Sequence, residues 1–257
     1  MKRDARRKVI MDVLVQEGSV ELEALSTRFG VSRMTIHRDL DDLEQSGLLR
    51  KVRGGATIEP GTQFESDFRF RERQGGEEKR LIAQAAMTLV EPGSTVIVND
   101  GSMAAVLGAQ LVEQRPLTVI TNNFAVIEAL TNEQGINLVG LGGVYSAKYN
   151  GFFGVVTEES LARLRADIAF ISSPAVSGTR CFHMEDDVVR TKRAMMNAAN
   201  RRYLMVGHKR FGHSALHVLA GLEEFDGIVT DAEPDADSLR SLREAGLTLT
   251  IAKDIVA

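Results

Sequence analysis

Arg33, His37 and Arg38 fall within six residues of one another, Arg50, Lys51 and Arg53 within four, and Ile36, Leu40 and Leu43 stand at i, i+4 and i+7. On a helix that spacing turns the three apolar side chains to one face and leaves Arg33, Met34, His37 and Arg38 largely on the other. A helix packed on one side and cationic on the other has the form needed to enter the major groove of double-stranded DNA, where arginine takes guanine edges bidentately. Ser32 and Thr35 sit at the helix start, where backbone N–H groups attract anions, and suit a phosphate. The plain alternative is a solvated charged helix. Against it, LLRKVRGG follows directly, a short basic strand with Gly54 and Gly55 available for a hairpin tip.

A second group of residues suits a small anionic ligand. Asn99-Asp100-Gly101-Ser102-Met103 falls where an apolar strand ends and a helix begins, a place where backbone N–H groups cradle phosphate. Asn122, and then Gly142 and Gly143, follow the next two predicted strands, and ligands of open parallel sheets sit at the carboxyl ends of strands. Any one such turn is ordinary. Their placement after successive strands predicts a common pocket, with Lys192 and Arg193 as counter-charges, although by spacing alone those two resemble surface basics. A metal centre was weighed at Cys181, His183, His208, His213 and His217. His213 and His217 would share a helix face, but Gly212 weakens the helix and no second pair completes a set, so neither metal nor cofactor is expected.

The elements that must position these groups follow from periodicity. Val9, Ile10, Val13 and Leu14 predict a first helix over residues 5–16, ended by Gly18; Leu22, Leu25 and Phe29 predict a second, ended by Gly30. Ser32 N-caps a third, which runs to about Gln45 and is closed by Gly47. Three helices and a hairpin make a winged helix-turn-helix over residues 1–58. Residues 59–76, with one proline and mixed charge, read as a linker. From residue 77 to 257 the bursts TVIVND, LTVITNN, INLVGLGG, IAFISS, YLMVG, GIVTD and LTLTIA, several of them separated by helical stretches, predict an α/β domain with a mainly parallel sheet.

Composition sets limits. With 44% hydrophobic and 26% charged residues the 257-residue chain has the make-up of a globular protein of more than one domain. The basic start lacks the apolar core of a secretory signal, and no uncharged run reaches membrane-spanning length, so a cytoplasmic location is expected and no membrane partner. The single cysteine excludes an intrachain disulfide. The net charge of −4 hides an asymmetry: residues 1–58 carry 11 Lys or Arg against 9 Asp or Glu, and the remainder 20 against 26.

VSRMTIHRDLDDLEQSGLLRKVRGGA resembles the helix-turn-helix signature of DeoR-type bacterial transcriptional regulators, VSxxTIRRDLxxLExxGxLxRxxGGA. His37 stands where arginine is usual, which replaces a fixed charge by an imidazole. The resemblance covers essentially the whole chain: EKRLIAQAA, VNDGSM, TNN, GLGG, DIAF and RTKRAMM occur in the family's order. It implies a second domain similar in fold to ribose-5-phosphate isomerase and glucosamine-6-phosphate deaminase, a phosphorylated sugar as effector, and a homo-oligomeric repressor of sugar or polyol genes. Where many members read DxSKFG, this chain has Gly207-His208-Lys209-Arg210-Phe211-Gly212: the acid is missing, Lys209 takes the serine place and Arg210 the lysine place. Met103 replaces a usual threonine. An isomerase or deaminase is the rival that such a fold raises. DIAFISSPAVSGTR, however, lacks the acid and histidine that a deaminase places after its fourth strand, and no enzymatic activity is expected.

Overall fold

The computed structural model describes residues 3–45, 49–57 and 68–254. Gly47 and Leu48, and the stretch 58–67 within the expected linker, lie outside the described residues. The chain divides into two compact units between Arg73 and Gln74.

The first unit contains α1 (Arg3–Glu17), β1 (Ser19–Glu21), α2 (Leu22–Phe29), α3 (Arg33–Gln45), β2 (Arg50–Val52), β3 (Gly55–Thr57) and α4 (Phe68–Arg73). Three helices enclose a core of Ile10, Val13, Leu14, Leu22, Leu25, Ile36, Leu40 and Leu43, to which Val20 and Ala56 are added from the small sheet and Leu49 from the residue before β2. That sheet is antiparallel in the order β1-β3-β2, and it makes the wing. Gly30 ends α2 in a left-handed conformation at φ 60°. Gly55 is required for a different reason: a Cβ there would lie 1.9 Å from the Val20 carbonyl oxygen of the crossing strand. α4 occupies part of the stretch expected as a linker, and Arg73 pairs with Asp12 of α1 at 2.8 Å.

The second unit is a doubly wound sheet. Its elements are α5 (Gly76–Met87), β4 (Thr95–Val98), α6 (Ser102–Gln110), β5 (Leu117–Thr121), α7 (Phe124–Leu130), β6 (Ile136–Gly140), β7 (Val144–Ser146), β8 (Gly151–Phe153), α8 (Val155–Ala162), β9 (Ala166–Ser172), β10 (Ala175–Ser177), β11 (Arg180–His183), α9 (Asp186–Asn197), β12 (Ala199–Met205), β13 (His217–Gly221), β14 (Gly227–Thr230), α10 (Ala236–Glu244) and β15 (Leu249–Ile251). The seven apolar bursts of the sequence are the seven strands of one sheet, ordered β15-β14-β12-β9-β4-β5-β6 and parallel throughout. Alternate residues feed two cores. Val96, Val98, Val119, Ile168, Phe170, Met205 and Val229 pack with α5, α6 and α7 on one face. Ile97, Ile120, Ala169, Ile171, Leu204 and Ile228 pack with α8, α9 and α10 on the other. Burial on both faces explains why these strands read as continuous apolar runs.

Strand order reverses beside β4: the chain first steps outward to β5 and β6, then returns to lay β9 on the other edge of β4. At such a switch point the strand ends part and leave a crevice. The two strands left over from the main sheet in this region, β7 and β8, form a hairpin that packs across the end of β5 through Phe152 N–H on the Asn122 carbonyl at 2.9 Å.

In the first unit the fold rests on Asp39 of α3, which is buried and accepts from Arg6 Nε at 2.5 Å and Arg7 Nε at 3.3 Å of α1. Removing one partner of a buried pair strands the other, at a cost of about 3–5 kcal/mol. Asp39→Ala is therefore expected to speed hydrogen exchange across α1 and α3 of the full chain while leaving the amides of the main sheet unchanged.

Candidate DNA-contact face and effector crevice

Ser32 caps α3 as the sequence predicts, its Oγ accepting from Thr35 N–H at 3.2 Å, with the two hydroxyls 3.0 Å apart. Ile36, Leu40 and Leu43 are buried, and Ser32, Arg33, Met34, His37 and Arg38 are exposed. Met34 is 62% exposed, unusual for so apolar a side chain and useful only against an apolar partner. The acids of α3, which dilute the charge of the segment on paper, are each engaged within the unit. Asp42 pairs with Arg3 and Arg7, Asp41 with Lys51, and Glu44 Oε1 accepts Lys51 N–H at 2.7 Å. Arg33 is likewise paired with Glu23 of α2, and this hydrogen bond raises its pKa further. Arg38 and Arg53 make no ion pair among the described residues. Arg50 and Lys51 lie on β2, and Arg53-Gly54 forms the hairpin tip, Gly54 having φ +87°.

In the second unit the structure brings Asp100, Asn122 and Lys192 to the switch point. Asp100 follows β4 and is 1% exposed; Lys192 on α9 is 2% exposed. Lys192 Nζ lies 3.6 Å from Asp100 Oδ1 and donates to the Ser172 carbonyl at 2.9 Å. Asn99 bridges the parted strands: its Oδ1 accepts Ser172 N–H at 3.1 Å, and its Nδ2 donates to Ser172 Oγ at 3.2 Å. Asn123 caps α7 and ties the loop after β4 by donating to the carbonyls of Asn99 and Gly101, at 3.2 and 3.0 Å. Asn122 donates to the Phe152 carbonyl at 2.9 Å, which fixes its amide orientation. Gly151 closes in above: a Cβ there would lie 3.0 Å from the Asn122 carbonyl oxygen and 3.5 Å from Asp100 Cβ.

Two oxygens in this arrangement, Asp100 Oδ2 and Asn122 Oδ1, are buried with no hydrogen-bond partner among the described residues. Buried polar atoms are rarely left so, and these two lie on residues linked through Gly151. Beside them Gly101, at φ +99°, opens α6, whose first residue is Ser102.

The other predicted residues are placed differently. Met103 packs its side chain against the core shared by α5, α6 and α7. Gly142 and Gly143 are held by α8: Thr157 Oγ1 donates to the Gly142 carbonyl at 2.6 Å, and a Cβ on Gly143 would meet Thr157 and Phe153. Arg193 turns away to Glu224 at 2.7 Å, and its hydrogen bond holds that carboxyl below the usual range. Lys209 pairs with Glu78, and Arg210 is exposed. Among the former metal candidates, His213 lies in a turn and His217 begins β13, so they share no helix face. His183 is buried, its Nδ1 accepting Glu185 N–H at 3.2 Å and its ring tilted on Tyr149. A separate depression of about 460 Å³ at the opposite ends of β5 and β6 is lined by Gly93, Pro116, Leu117, Thr118, Gly135, Ile136 and Asn137, with no titratable group to anchor a ligand.

Sequence reasoning missed Ser172 and Asn123 and named Asn99 only as part of the loop after β4; strand-end position was the available signal. It offered Lys192 as a counter-charge but read its spacing as that of a surface basic. Its spacing tells otherwise: Val188, Val189, Lys192, Met195 and Met196 form one buried stripe of α9.

Residues 6–60 match the model of the DeoR-like helix-turn-helix domain, and residues 74–232 that of the DeoR C terminal sensor domain. The chain is 30% identical to the HTH-type transcriptional regulator YgbI of Escherichia coli K12, over 97% of this chain and 98% of that one. It is 27% identical to the glycerol-3-phosphate regulon repressor of the same organism, over 98% and 100%. Among solved structures, ribose 5-phosphate isomerase A from Methanocaldococcus jannaschii aligns over 54% of this chain and 55% of that one, at 18% identity and a TM-score of 0.40.

Two outcomes are expected. Lys192→Ala strands the Asp100 carboxylate in the interior and should lower the stability of the second unit by about 3–5 kcal/mol in denaturant titration of the full chain. Cys181 is fully buried and donates to the Ala220 carbonyl at 3.5 Å, and burial pushes its thiol up to about 12. It should therefore resist alkylation of the native protein at pH 8, where the thiolate fraction is negligible, and react at once in denaturant.

Proposed function

Because the chain belongs to the DeoR family of DNA-binding transcriptional regulators, we propose that it is a cytoplasmic repressor of sugar or polyol genes. Its first unit takes operator DNA, and a phosphorylated sugar or polyol in the crevice at Asp100 controls that contact. The two relatives named above are regulators rather than enzymes, and the glycerol-3-phosphate regulon repressor favours repression and a phosphorylated effector. In this reading residues 1–58 are the reader and 77–257 the sensor, joined through 59–76.

The observation that carries the effector assignment is the pair of orphan acceptors, Asp100 Oδ2 and Asn122 Oδ1. Both are oxygens that need donors. A phosphate dianion has none to give, whereas neighbouring hydroxyls of a sugar or polyol have one each. The phosphate then belongs at the start of α6, where Gly101 allows close approach and the Ser102 hydroxyl and first-turn N–H groups accept an anion. Asn122 and Asp100 read hydroxyls, Lys192 holds Asp100 in place at 3.6 Å, and Gly142 and Gly143 shape the loop beside it. Lys209 and Arg210 remain available as outer cations.

On the DNA side, Arg38 and His37 reach base edges, Met34 meets a thymine methyl, and Ser32, Thr35 and Arg33 hold phosphates. Arg53 enters from the wing tip, with Arg50 and Lys51 behind it. One such small domain reads a half-site, so a homo-oligomer supplies the second copy.

The test uses the full-length protein in a thermal melt against phosphorylated sugars, polyol phosphates and their free counterparts. A ligand at about a hundred times its Kd adds roughly 2.7 kcal/mol, a shift of several degrees. A shift with one phosphorylated compound, absent with its unphosphorylated form and lost in Asp100→Asn, is expected. No shift with any of them, or one that Asp100→Asn leaves intact, would overturn the crevice assignment. For the reader, Arg38→Ala should weaken binding to a duplex selected from a random library by about 1–3 kcal/mol at fixed salt. Unchanged affinity would remove Arg38 from the contact.

A further inference from the structure

Away from the Asp100 crevice, three side chains with metal-ligating atoms converge where no sequence spacing would show it. Glu78 comes from the first turn of α5, His208 from the turn after β12, and Asp231 from the residue after β14. One ligand atom from each lies within 4.8 Å of the other two. We propose that Glu78, His208 and Asp231 form a binding site for a divalent first-row transition-metal ion, which ties the first turn of α5 to the ends of β12 and β14.

The geometry and the chemistry agree. Ligands about 2.0–2.2 Å from a tetrahedral ion stand roughly 3.3–3.6 Å apart, a spacing that side-chain rotation of these three groups can reach. Asp231 is buried and provides the fixed point; Glu78 and His208 are half-buried and can rotate. His208 is already drawn to Asp231 twice, through its N–H to Oδ1 at 2.8 Å and through Nδ1 to Oδ2 at 2.6 Å. An ion taking this place draws Asp231 Oδ2 and the His208 ring out of their mutual contact and onto itself, while the His208 backbone N–H continues to hold Asp231 Oδ1. Two carboxylates and a neutral imidazole balance a divalent charge, and an N/O set of this kind suits zinc, cobalt, nickel or manganese. With three protein ligands, a coordination position stays open to water.

Lys209 now pairs with Glu78 Oε1. Its ammonium supplies the positive charge that the acid cluster needs, and this lysine is largely exposed, so it is free to swing into solvent when an ion takes its place.

The experiment uses tag-free, full-length protein stripped with chelator and then titrated with cobalt(II) and zinc. One ion per chain is expected, with visible d–d absorption from the cobalt form. Affinity should fall at least about tenfold in His208→Ala and in Glu78→Gln, and remain unchanged in the His213→Ala, His217→Ala double variant. Uptake below one ion per chain, uptake that His208→Ala leaves intact, or uptake lost only in the double variant would overturn the site. Melting curves confirm that each variant is folded. The effector shifts assigned to Asp100 do not draw on Glu78, His208 or Asp231 and should persist in chelator, so the two readings fail separately.

Discussion

An ammonium group buried to 2% exposure is stable only with its charge answered and its protons placed, and Lys192 meets both conditions at one point in the sheet. Asp100 answers the charge and the Ser172 carbonyl takes a proton. Those two partners stand at the ends of β4 and β9, the strands between which the order reverses. The pair therefore spans the gap that the topology opens, while Asn99 clamps the same strands through Ser172. The crevice floor is set by these contacts before any ligand arrives. Almost every polar group there is satisfied, which is why the few unsatisfied oxygens carry information.

Much of this architecture was legible in the sequence. Seven apolar bursts became seven strands because a parallel sheet covered on both faces needs apolar residues on both, and alternate positions such as Val96 and Ile97 enter different cores. Ile36, Leu40 and Leu43 predicted the packed face of α3, and Ser32 its cap. Short elements were harder to see. β10 and β11 form a tight hairpin that β13 joins from some forty residues on, and none carries a pattern long enough to stand out. Met103 was read by its place in a loop motif, but the turn geometry of Gly101 sends the next side chains into α6, where Met103 meets the core.

Charges were the least legible part, because a residue's charge is visible in sequence and its partner is not. Lys192 looked like any helix lysine until Asp100, 92 positions earlier, was brought to it. Asp39, Asp41, Asp42 and Glu44 looked like a dilution of a basic segment. In the fold they are bound by Arg6, Arg7, Arg3 and the β2 strand, so the acids of α3 stabilise the unit from within. What this leaves outward on α3 and the wing tip includes Arg38 and Arg53 with no ion pair among the described residues. The small net charge of the segment therefore understates the field at its outer face, since paired charges cancel locally and unpaired ones do not.

The same accounting separates two kinds of recognition in the proposed effector site. A phosphate is drawn by N–H groups and positive charge, and it tolerates considerable variation in what bears it. Hydroxyl groups are read by acceptors fixed in place, and a site that buries acceptors penalises any ligand unable to fill them, because the loss is the full desolvation of a polar atom. Asp100 Oδ2 and Asn122 Oδ1 are of the second kind. Discrimination among phosphorylated compounds would then rest on the spacing and stereochemistry of their hydroxyls at these two oxygens, and the phosphate at α6 would supply affinity common to all of them.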